Sequence, residues 1–262
     1  MISRRYINEW KAFAPWTNDF QVEQDLVLSR SIVAIFSDEM LASNLAFRGG
    51  TALHKLIIKP QSRYSEDIDL VQINAGPIKE IIERLRNVLS FLGKPVIKQK
   101  ANNNTLVYHF NAESSPDTSL KLKIEINCRE HFTVLGYHYL PYEMQSGWFS
   151  GQCNITTYHH DEMLGTKLRA LYQRRKGRDL YDLYKGLVCL PSNPDTIIRC
   201  YHEYMRFVVS HIPTRKEFQL NMSAKIKDQE FLGDMIAILS PEENYDPVIA
   251  YELVASKLID NL

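Results

Sequence analysis

The stretch FRGGTALHKLIIKPQSRYSEDIDL, residues 47–70, constrains the fold more than any other part of the chain. Gly49 and Gly50 come just before a segment with a helical pattern, and Asp67 and Asp69 alternate with apolar residues on a short strand. Side chains two positions apart on a strand point to the same side, so the two carboxylates are expected to be neighbours. The stretch predicts a glycine turn, a helix and a strand with one acidic face.

This combination is typical of sites that transfer phosphoryl or nucleotidyl groups. Glycines let backbone amides approach phosphate oxygens, and the N-terminus of the following helix favours negative charge. Thr51 adds a hydroxyl donor, and two neighbouring carboxylates are suited to hold a pair of Mg²⁺ ions. The alternative is a glycine loop beside an acidic strand face in water. The presence of both halves in one stretch favours the transfer site.

A third carboxylate, that of Glu125, lies in the alternating segment LKLKIEINC, residues 120–128. The leucines and isoleucines of this segment share one face, and Glu125 shares the other face with Lys121 and Lys123. If this strand is adjacent to the Asp67–Asp69 strand, Glu125 faces the aspartates and serves as a further metal ligand or as a general base. An ordinary exposed strand glutamate between two lysines fits the spacing equally well.

A basic cluster occupies LGTKLRALYQRRKGRDLYDLY, residues 164–184, and its cations lie within twelve residues that contain no acid: Lys167, Arg169, Arg174, Arg175, Lys176 and Arg178. On a continuous helix Lys167, Arg174 and Arg178 share roughly one face, which would suit a triphosphate or an RNA backbone. The alternative is a solvated helix face on which Arg178 pairs with Asp182 four residues later. Asp179 and Asp182 are expected to orient the arginines.

The periodicity of the rest of the chain predicts an α/β (α+β) protein. Helices are expected over residues 21–46 and 77–92, strands over 105–110 and 119–128, a turn-rich loop over 111–118, and helices from about 161 to the end. His159 and His160 are expected to begin a helix rather than to bind a metal. The predicted domains are residues 1–150, an α/β core with N-terminal helices, and residues 151–262, an all-helical C-terminal domain.

Composition excludes several classes of protein. The 262 residues are 45% hydrophobic and carry a formal net charge of zero, so neither a disordered chain nor a globally basic nucleic-acid binder is indicated. The four cysteines show no CxxC spacing, and residues 1–19 lack the apolar core of a signal peptide, which predicts reduced thiols and a cytoplasmic protein. No apolar run approaches the roughly 18 residues that span a bilayer.

Four segments in this order carry a resemblance to a known family: GGTALHKL, RYSEDIDL, KIEINCRE and the basic segment 164–184. Together they resemble the AbiEii/AbiGii-type toxin nucleotidyltransferases, a branch of the DNA polymerase β-like superfamily, over about residues 21–185. The resemblance implies a nucleotidyltransferase core with a mixed β-sheet flanked by helices. The gap of fifteen residues between Thr51 and Asp67 is slightly longer than the general signature, which predicts a small insertion near residues 59–62.

The resemblance also implies roles for individual residues. The phosphate-binding positions fall on Gly49, Gly50 and Thr51, and the metal-binding carboxylates fall on Asp67 and Asp69. The later L-x₂-K and R-x₃-D segments place Lys167 on the nucleotide phosphates and add Arg175 and Asp179 to the nucleotide site. Glu125 corresponds to the strand carboxylate of the superfamily.

The function implied is Mg²⁺-dependent transfer of a nucleoside monophosphate from an NTP to an acceptor, at a two-metal site. Family members act as the toxin of a bacterial type IV toxin–antitoxin pair, which implies a cognate antitoxin as a partner. The implied acceptor is RNA, such as a tRNA 3′ end. Two alternatives stay open: transfer to a protein hydroxyl or a small molecule, and a non-catalytic module that binds nucleotide or antitoxin.

Overall fold

A seven-stranded mixed sheet forms the centre of the computed structural model, which describes residues 2–100, 102–113 and 117–262. Its strands are β1 (Leu45–Arg48), β2 (Asp67–Gln72), β3 (Val96–Lys100), β4 (Asn103–Asn111), β5 (Ser119–Asn127), β6 (Tyr137–Gln145) and β7 (Ser150–Tyr158). Their order across the sheet is β3-β4-β5-β2-β1-β7-β6. The pairs β1–β7 and β2–β5 are parallel and the other neighbours are antiparallel.

Helices flank the sheet and make up the C-terminal part. The helices before β7 are α1 (Arg4–Trp10), α2 (Asp19–Phe36), α3 (Glu39–Asn44), α4 (Gly49–Ala52) and α5 (Lys79–Val88). Those after β7 are α6 (His160–Gln173), α7 (Gly177–Cys189), α8 (Pro194–Val208), α9 (Arg215–Lys225), α10 (Gln229–Gly233) and α11 (Pro247–Lys257). His159 is the N-cap of α6, as the sequence predicted. The predicted fold class, a mixed sheet with flanking helices followed by helices, is confirmed.

The register of β2 against β5 brings the acidic residues together. Asp67 is paired with Lys123 and Asp69 with Glu125, so these four side chains lie on one face of the sheet. The intervening residues of both strands are apolar and fully buried on the other face, among them Ile68 and Ile124. Burial of that face fixes the register, because a shift of one residue would bury the carboxylates and expose the isoleucines.

The glycine pair follows β1 without a loop. α4 begins at Gly49 and continues into a π-helical turn, Leu53–Ile57. Lys55 of this turn is buried, and its ammonium lies 2.7 Å from both carboxylate oxygens of Asp25 on α2. A buried ion pair that loses one partner leaves an uncompensated charge, so this pair fixes the turn firmly against α2.

The segment between the π-helical turn and β2 attaches the sheet to the helical part. The backbone amide of Tyr64 donates to the carbonyl of Ile238, and the amide of Ser240 donates to the carbonyl of Ser62. Each of these bonds connects the segment before β2 to a segment near the end of the sequence, just before α11. The extra length of the Thr51–Asp67 gap therefore has a structural use, since it lets the chain reach the region before α11.

Some sequence expectations differ from the structure. Residues 45 and 46 were included at the end of a predicted helix, but Leu45–Arg48 form β1, an inner strand between β2 and β7. The sheet also continues past residue 150, because β7 pairs with β1 and β6, so the all-helical part begins only after Tyr158. Residues 114–116 of the predicted loop lie outside the described residues. Within the described chain, no helix has both the length and the apolar character of a bilayer span.

Candidate active site

Gly49 sits where the backbone passes closest to the acidic strand. Its φ angle is +86°, a conformation that favours glycine, and a Cβ atom at this position would lie only 2.3 Å from Asp69 Oδ2. A side chain here would therefore push the carboxylate away. The first glycine of the motif is required because the backbone and the Asp69 carboxylate approach each other so closely.

Gly50 is required for a different reason. A Cβ atom on Gly50 would lie 1.9 Å from Nη2 of Arg63, a guanidinium that is almost fully buried. Arg63 in turn makes a two-point ion pair with Asp182 of α7, with Nε–Oδ1 and Nη2–Oδ2 distances of 2.7 and 2.9 Å. The second glycine therefore makes room for an arginine that connects the glycine turn to the helical part.

The hydroxyl of Thr51 makes contacts within the protein. Its Oγ1 lies 2.6 Å from Ser65 Oγ and donates to the backbone carbonyl of Asp67, and the residue is 1% exposed. These bonds hold the start of β2 against α4 and so position the two aspartates. A contact between this hydroxyl and phosphate, which the resemblance implied, stays a prediction.

The three predicted carboxylates lie together on the open face of β2 and β5. The ammonium of Lys123 bridges two of them, at 3.3 Å from Asp67 Oδ2 and 3.2 Å from Glu125 Oε1. Burial raises the pKa of Asp69 above its ordinary value, and the neighbouring charges of Asp67 and Glu125 raise it further. The three carboxylates therefore carry more negative charge than the single ammonium of Lys123 compensates.

Lys167 approaches the carboxylates from α6. It is 6% exposed, and its ammonium lies 3.2 Å from Asp179 Oδ1 and 2.7 Å from Asp182 Oδ2. Both aspartates belong to α7, so the lysine is held at the junction of the two helices. The carboxylates of Asp179 and Asp182 fix the position of the Lys167 side chain. Its ammonium charge is thereby held near Asp69 in a buried position.

Asp182 is the centre of a buried network that the sequence motifs did not single out. It accepts from Arg63, contacts Lys167, and lies 2.9 Å from His54 Nε2. Burial opposes its charge, but Arg63 and Lys167 hold the pKa of the carboxyl well below its ordinary value. Burial, together with the Arg63 charge, lowers the pKa of His54 to about 4, so this ring is neutral at physiological pH.

The basic segment is not a continuous helix. α6 ends at Gln173, Arg174 is extended, and α7 begins at Gly177, so the predicted common face of Lys167, Arg174 and Arg178 does not form. Arg174 turns back and makes two bonds of 2.6 and 2.7 Å to Asp179. Arg178 pairs with Asp234 rather than with Asp182.

Arg174, rather than Arg175, reaches the candidate site. The two side chains diverge because the backbone is extended at this point, and Arg175 pairs at 3.0 Å with Asp228 while its side chain stays 58% exposed. Arg174 bonds to Asp179 beside Lys167. The expectation that the aspartates orient arginines of the basic cluster holds for Asp179, which binds Arg174. Asp182 instead binds Arg63, an arginine outside the cluster, and Lys167.

A cavity of about 280 Å³ joins these groups. Its walls include Gly49, Asp69 and Glu125 on the sheet side and Lys167 and Arg174 on the helix side. The cavity is also lined by two polar residues of the neighbouring strands, Asn103 of β4 and Asn127 of β5. An acidic wall opposite a basic wall is suited to a ligand that carries both a metal ion and phosphates.

A comparison with protein families decides which protein class this site belongs to. The sequence model described as "Nucleotidyl transferase AbiEii toxin, Type IV TA system" matches residues 30–251. The chain belongs to the AbiEii family of nucleotidyltransferase toxins. A search of curated protein sequences gave no significant match to this AbiEii-family protein.

Solved structures agree with the family in fold. MenT4, a nucleotidyltransferase toxin from Mycobacterium tuberculosis H37Rv, is similar with a TM-score of 0.64 and 14% identity, over 100% of this chain and 91% of MenT4. JHP933 from Helicobacter pylori is similar with a TM-score of 0.53 and 14% identity, over 93% of this chain and 95% of JHP933. At this identity the likeness shows the shared fold.

The contact between Gly49 and Asp69 leads to a prediction about stability. Gly49→Ala and Gly93→Ala both place a side chain at a positive φ, a backbone conformation that costs about 1–3 kcal/mol for other residues, but a Cβ on Gly93 meets nothing within 4 Å. We expect Gly49→Ala to lower the free energy of unfolding clearly more than Gly93→Ala does, as measured by urea denaturation. Adding Asp69→Ala should recover more stability in the Gly49→Ala background than in the wild type. Equal losses at the two glycines would contradict the steric explanation.

Proposed function

We propose that this AbiEii-family protein transfers a nucleoside monophosphate from an NTP to a hydroxyl of RNA, with Mg²⁺ bound by Asp67, Asp69 and Glu125. The observation that carries this proposal is the position of the three carboxylates. They lie on one face of two neighbouring strands, and two of them, Asp69 and Glu125, line a cavity whose other wall holds Lys167 and Arg174. Such a cavity has places for metal ions and for a triphosphate at the same time.

The donor set supports a divalent metal of the magnesium type. All three proposed ligands are carboxylate oxygens, the hard donors that Mg²⁺ prefers, and none of the described cysteines or histidines lines this cavity. Burial raises the pKa of Asp69, the charges of Asp67 and Glu125 raise it further, and added positive charge would oppose both effects. A bound pair of such ions would stabilise the negative charge on the attacking and leaving oxygens.

The proposed reaction is a single displacement at phosphorus. The oxygen of the acceptor hydroxyl forms a bond to the α-phosphorus, the bond to the bridging oxygen between the α- and β-phosphorus breaks, and pyrophosphate leaves. The hydroxyl proton is lost in the same step. Glu125, which is paired with Asp69 in the sheet and half-buried, would either accept this proton or complete the metal site.

The basic wall would hold the phosphates. Lys167 is a buried ammonium fixed by Asp179 and Asp182, so it neutralises charge without first having to be ordered. Arg174 is fixed by Asp179 in the same way. Asp179 would therefore act as a positioning residue. Gly49 has no side chain between its backbone and Asp69, so this backbone would be free to approach the phosphates. The predicted nucleotide contacts of Gly50 and Arg175 stay proposals.

The biological role follows from the family. Proteins of this family are toxins of type IV toxin–antitoxin systems. We therefore propose a cognate antitoxin protein as the partner of this chain, and a tRNA 3′ end as the form of RNA acceptor. Acceptors of other kinds, a protein hydroxyl or a small molecule, are separate outcomes of the experiment below.

The test is transfer of label from each of the four α-³²P-labelled NTPs to total RNA, to RNA-free protein and to a metabolite extract. We expect label in the RNA fraction, dependent on Mg²⁺, with loss to background in Asp69→Asn. The control is Glu252→Gln, an exposed residue of α11, which should behave as wild type. Label only in protein or metabolites would move the acceptor, and full activity of Asp69→Asn would overturn the site.

Lys123 gives a second prediction, because its ammonium lies between two proposed metal ligands. A metal ion and this ammonium compete for the same oxygens, so Lys123→Met should bind Mn²⁺ more tightly, by about tenfold as an order-of-magnitude Coulomb estimate. The measurement is calorimetric titration of the protein with MnCl₂ without nucleotide. Lys121→Met, on the same face of β5 but without a carboxylate contact in the described chain, should match the wild type. Equal affinity in both variants would contradict the competition.

A further inference from the structure

Outside the cavity wall, the arginines of the 164–184 segment are already paired within the protein. Arg175 pairs with Asp228 and Arg178 with Asp234, which leaves Lys176 as an exposed cation of the segment without an ion pair in the described chain. An arginine that is neutralised by a neighbouring aspartate attracts an RNA backbone much less than a free one does. The segment that looked like the RNA-binding face in the sequence is therefore a poor choice for it.

A second basic surface lies on the sheet, on the same face as the carboxylates. Asp69 of β2 is paired with Glu125, Glu125 with Thr105 of β4, and Thr105 with Lys98 of β3. Paired residues of neighbouring strands point to the same side, so this row runs from the catalytic candidates to the edge of the sheet. With strands about 4.8 Å apart, Lys98 is about 14 Å from Asp69 along the row.

The residues of this surface are open to solvent. We call it the lysine face and define it by Lys98, Lys100, His109 and Lys121, all of which are exposed. Lys100 is paired with Asn103 in the row next to the one through Lys98. His109 is paired with Lys121 on the other side of that row, beyond the row of Val107 and Lys123. The opposite face of the same strands is buried, as Leu106 and Ile124 illustrate.

The lysines of the lysine face have no acidic partner among the described residues. The residues of this region that the structure does not describe, Ala101 and 114–116, include no acid. Their charge is therefore available to a ligand, in contrast to that of the arginines near α7. The cavity of the candidate active site reaches the Lys100 end of this face, because Asn103 of β4, which pairs with Lys100, and Asn127 of β5 both line it. A polymeric ligand with one end at the carboxylates and its next units at Asn103 and Asn127 would therefore extend onto the lysine face.

We propose that the lysine face holds the 3′-terminal nucleotides of a single-stranded RNA acceptor while its terminal hydroxyl lies at Asp67, Asp69 and Glu125. This inference rests on the proposed function and gives it a place for the acceptor. Lys98, Lys100 and Lys121 contact backbone phosphates, and the exposed ring of His109 stacks on a base. The chemistry is independent of base sequence, since lysine–phosphate contacts and stacking suit any nucleotide.

Lysines on an edge strand also have a known structural use, which is to discourage pairing with the edge of another molecule. β3 is such an edge strand. In that case removal of Lys98 and Lys100 would leave RNA affinity unchanged and would promote self-association. The experiment below therefore measures both properties.

The test compares Lys98→Glu/Lys100→Glu with a control of equal charge change, Lys216→Glu/Lys257→Glu, two exposed lysines of α9 and α11. The first probe is a 5′-fluorescein-labelled, 12-nucleotide single-stranded RNA with a free 3′ hydroxyl, followed by fluorescence anisotropy at several salt concentrations. We expect the sheet variant to bind about tenfold or more weakly, with a salt slope smaller by about 1.4, and the control to match the wild type. Size-exclusion chromatography follows the oligomeric state of each variant.

The second measurement is steady-state transfer with the same RNA, which separates this inference from the proposed function. A higher KM for RNA with an unchanged KM for NTP in the sheet variant supports the lysine face. Transfer to RNA by the wild type with equal RNA affinity in all variants overturns the lysine face alone. No transfer to RNA by the wild type, with label in protein instead, overturns the proposed acceptor and the lysine face together.

Discussion

The crowding of three carboxylates on one face of β2 and β5 is the constraint on which the rest of the site depends. Asp69 pairs with Glu125 in the sheet, Asp67 is two residues away, and burial of the isoleucines on the other face opposes a shift of the register by one residue. Negative charges this close repel one another, and two cations partly compensate them. These are Lys123, on β5 like Glu125, and Lys167 of α6. The site is built with a need for positive charge, which a nucleotidyltransferase of this family would meet with divalent metal.

The buried network around Asp182 shows how the helical part completes a site that begins in the sheet. Asp182 belongs to α7, yet it holds Arg63 from the loop before β2 and Lys167 from α6. Gly50 leaves the space that Arg63 fills. Removal of one partner would leave a buried charge without compensation, so the two parts of the chain are energetically coupled at this point. The sheet supplies the acidic wall of the cavity and the helices supply its basic wall.

Much of this site was predictable from the sequence because its chemistry lies in short local patterns. The spacing of Asp67 and Asp69 and the alternation around Glu125 gave both strands and their polar face. Features that depend on distant partners were missed. Leu45–Arg48 is too short to show alternation, Arg63 gains its role only through Asp182, and the end of α6 at Gln173 sends Arg174 rather than Arg175 to the cavity. The charge of the 164–184 segment was visible in the sequence, but its neutralisation by Asp228 and Asp234 was not.

The most direct test of the central claim is the free energy of unfolding of wild type and Asp69→Asn between pH 3.5 and pH 8.5, with and without Mg²⁺. The pKa of Asp69 is raised in the folded protein, so loss of its proton costs stability as the pH rises, and the cost vanishes at low pH where the carboxyl is protonated in both states. Without metal we expect Asp69→Asn to be the more stable protein at pH 8, with an advantage that shrinks as the pH falls toward the ordinary aspartate pKa of about 3.9. Saturating Mg²⁺ should reverse the order by stabilising the wild type alone. A metal-free wild type as stable as Asp69→Asn at every pH, or equal stabilisation of both by Mg²⁺, would contradict a carboxylate group that is short of positive charge and built to bind metal.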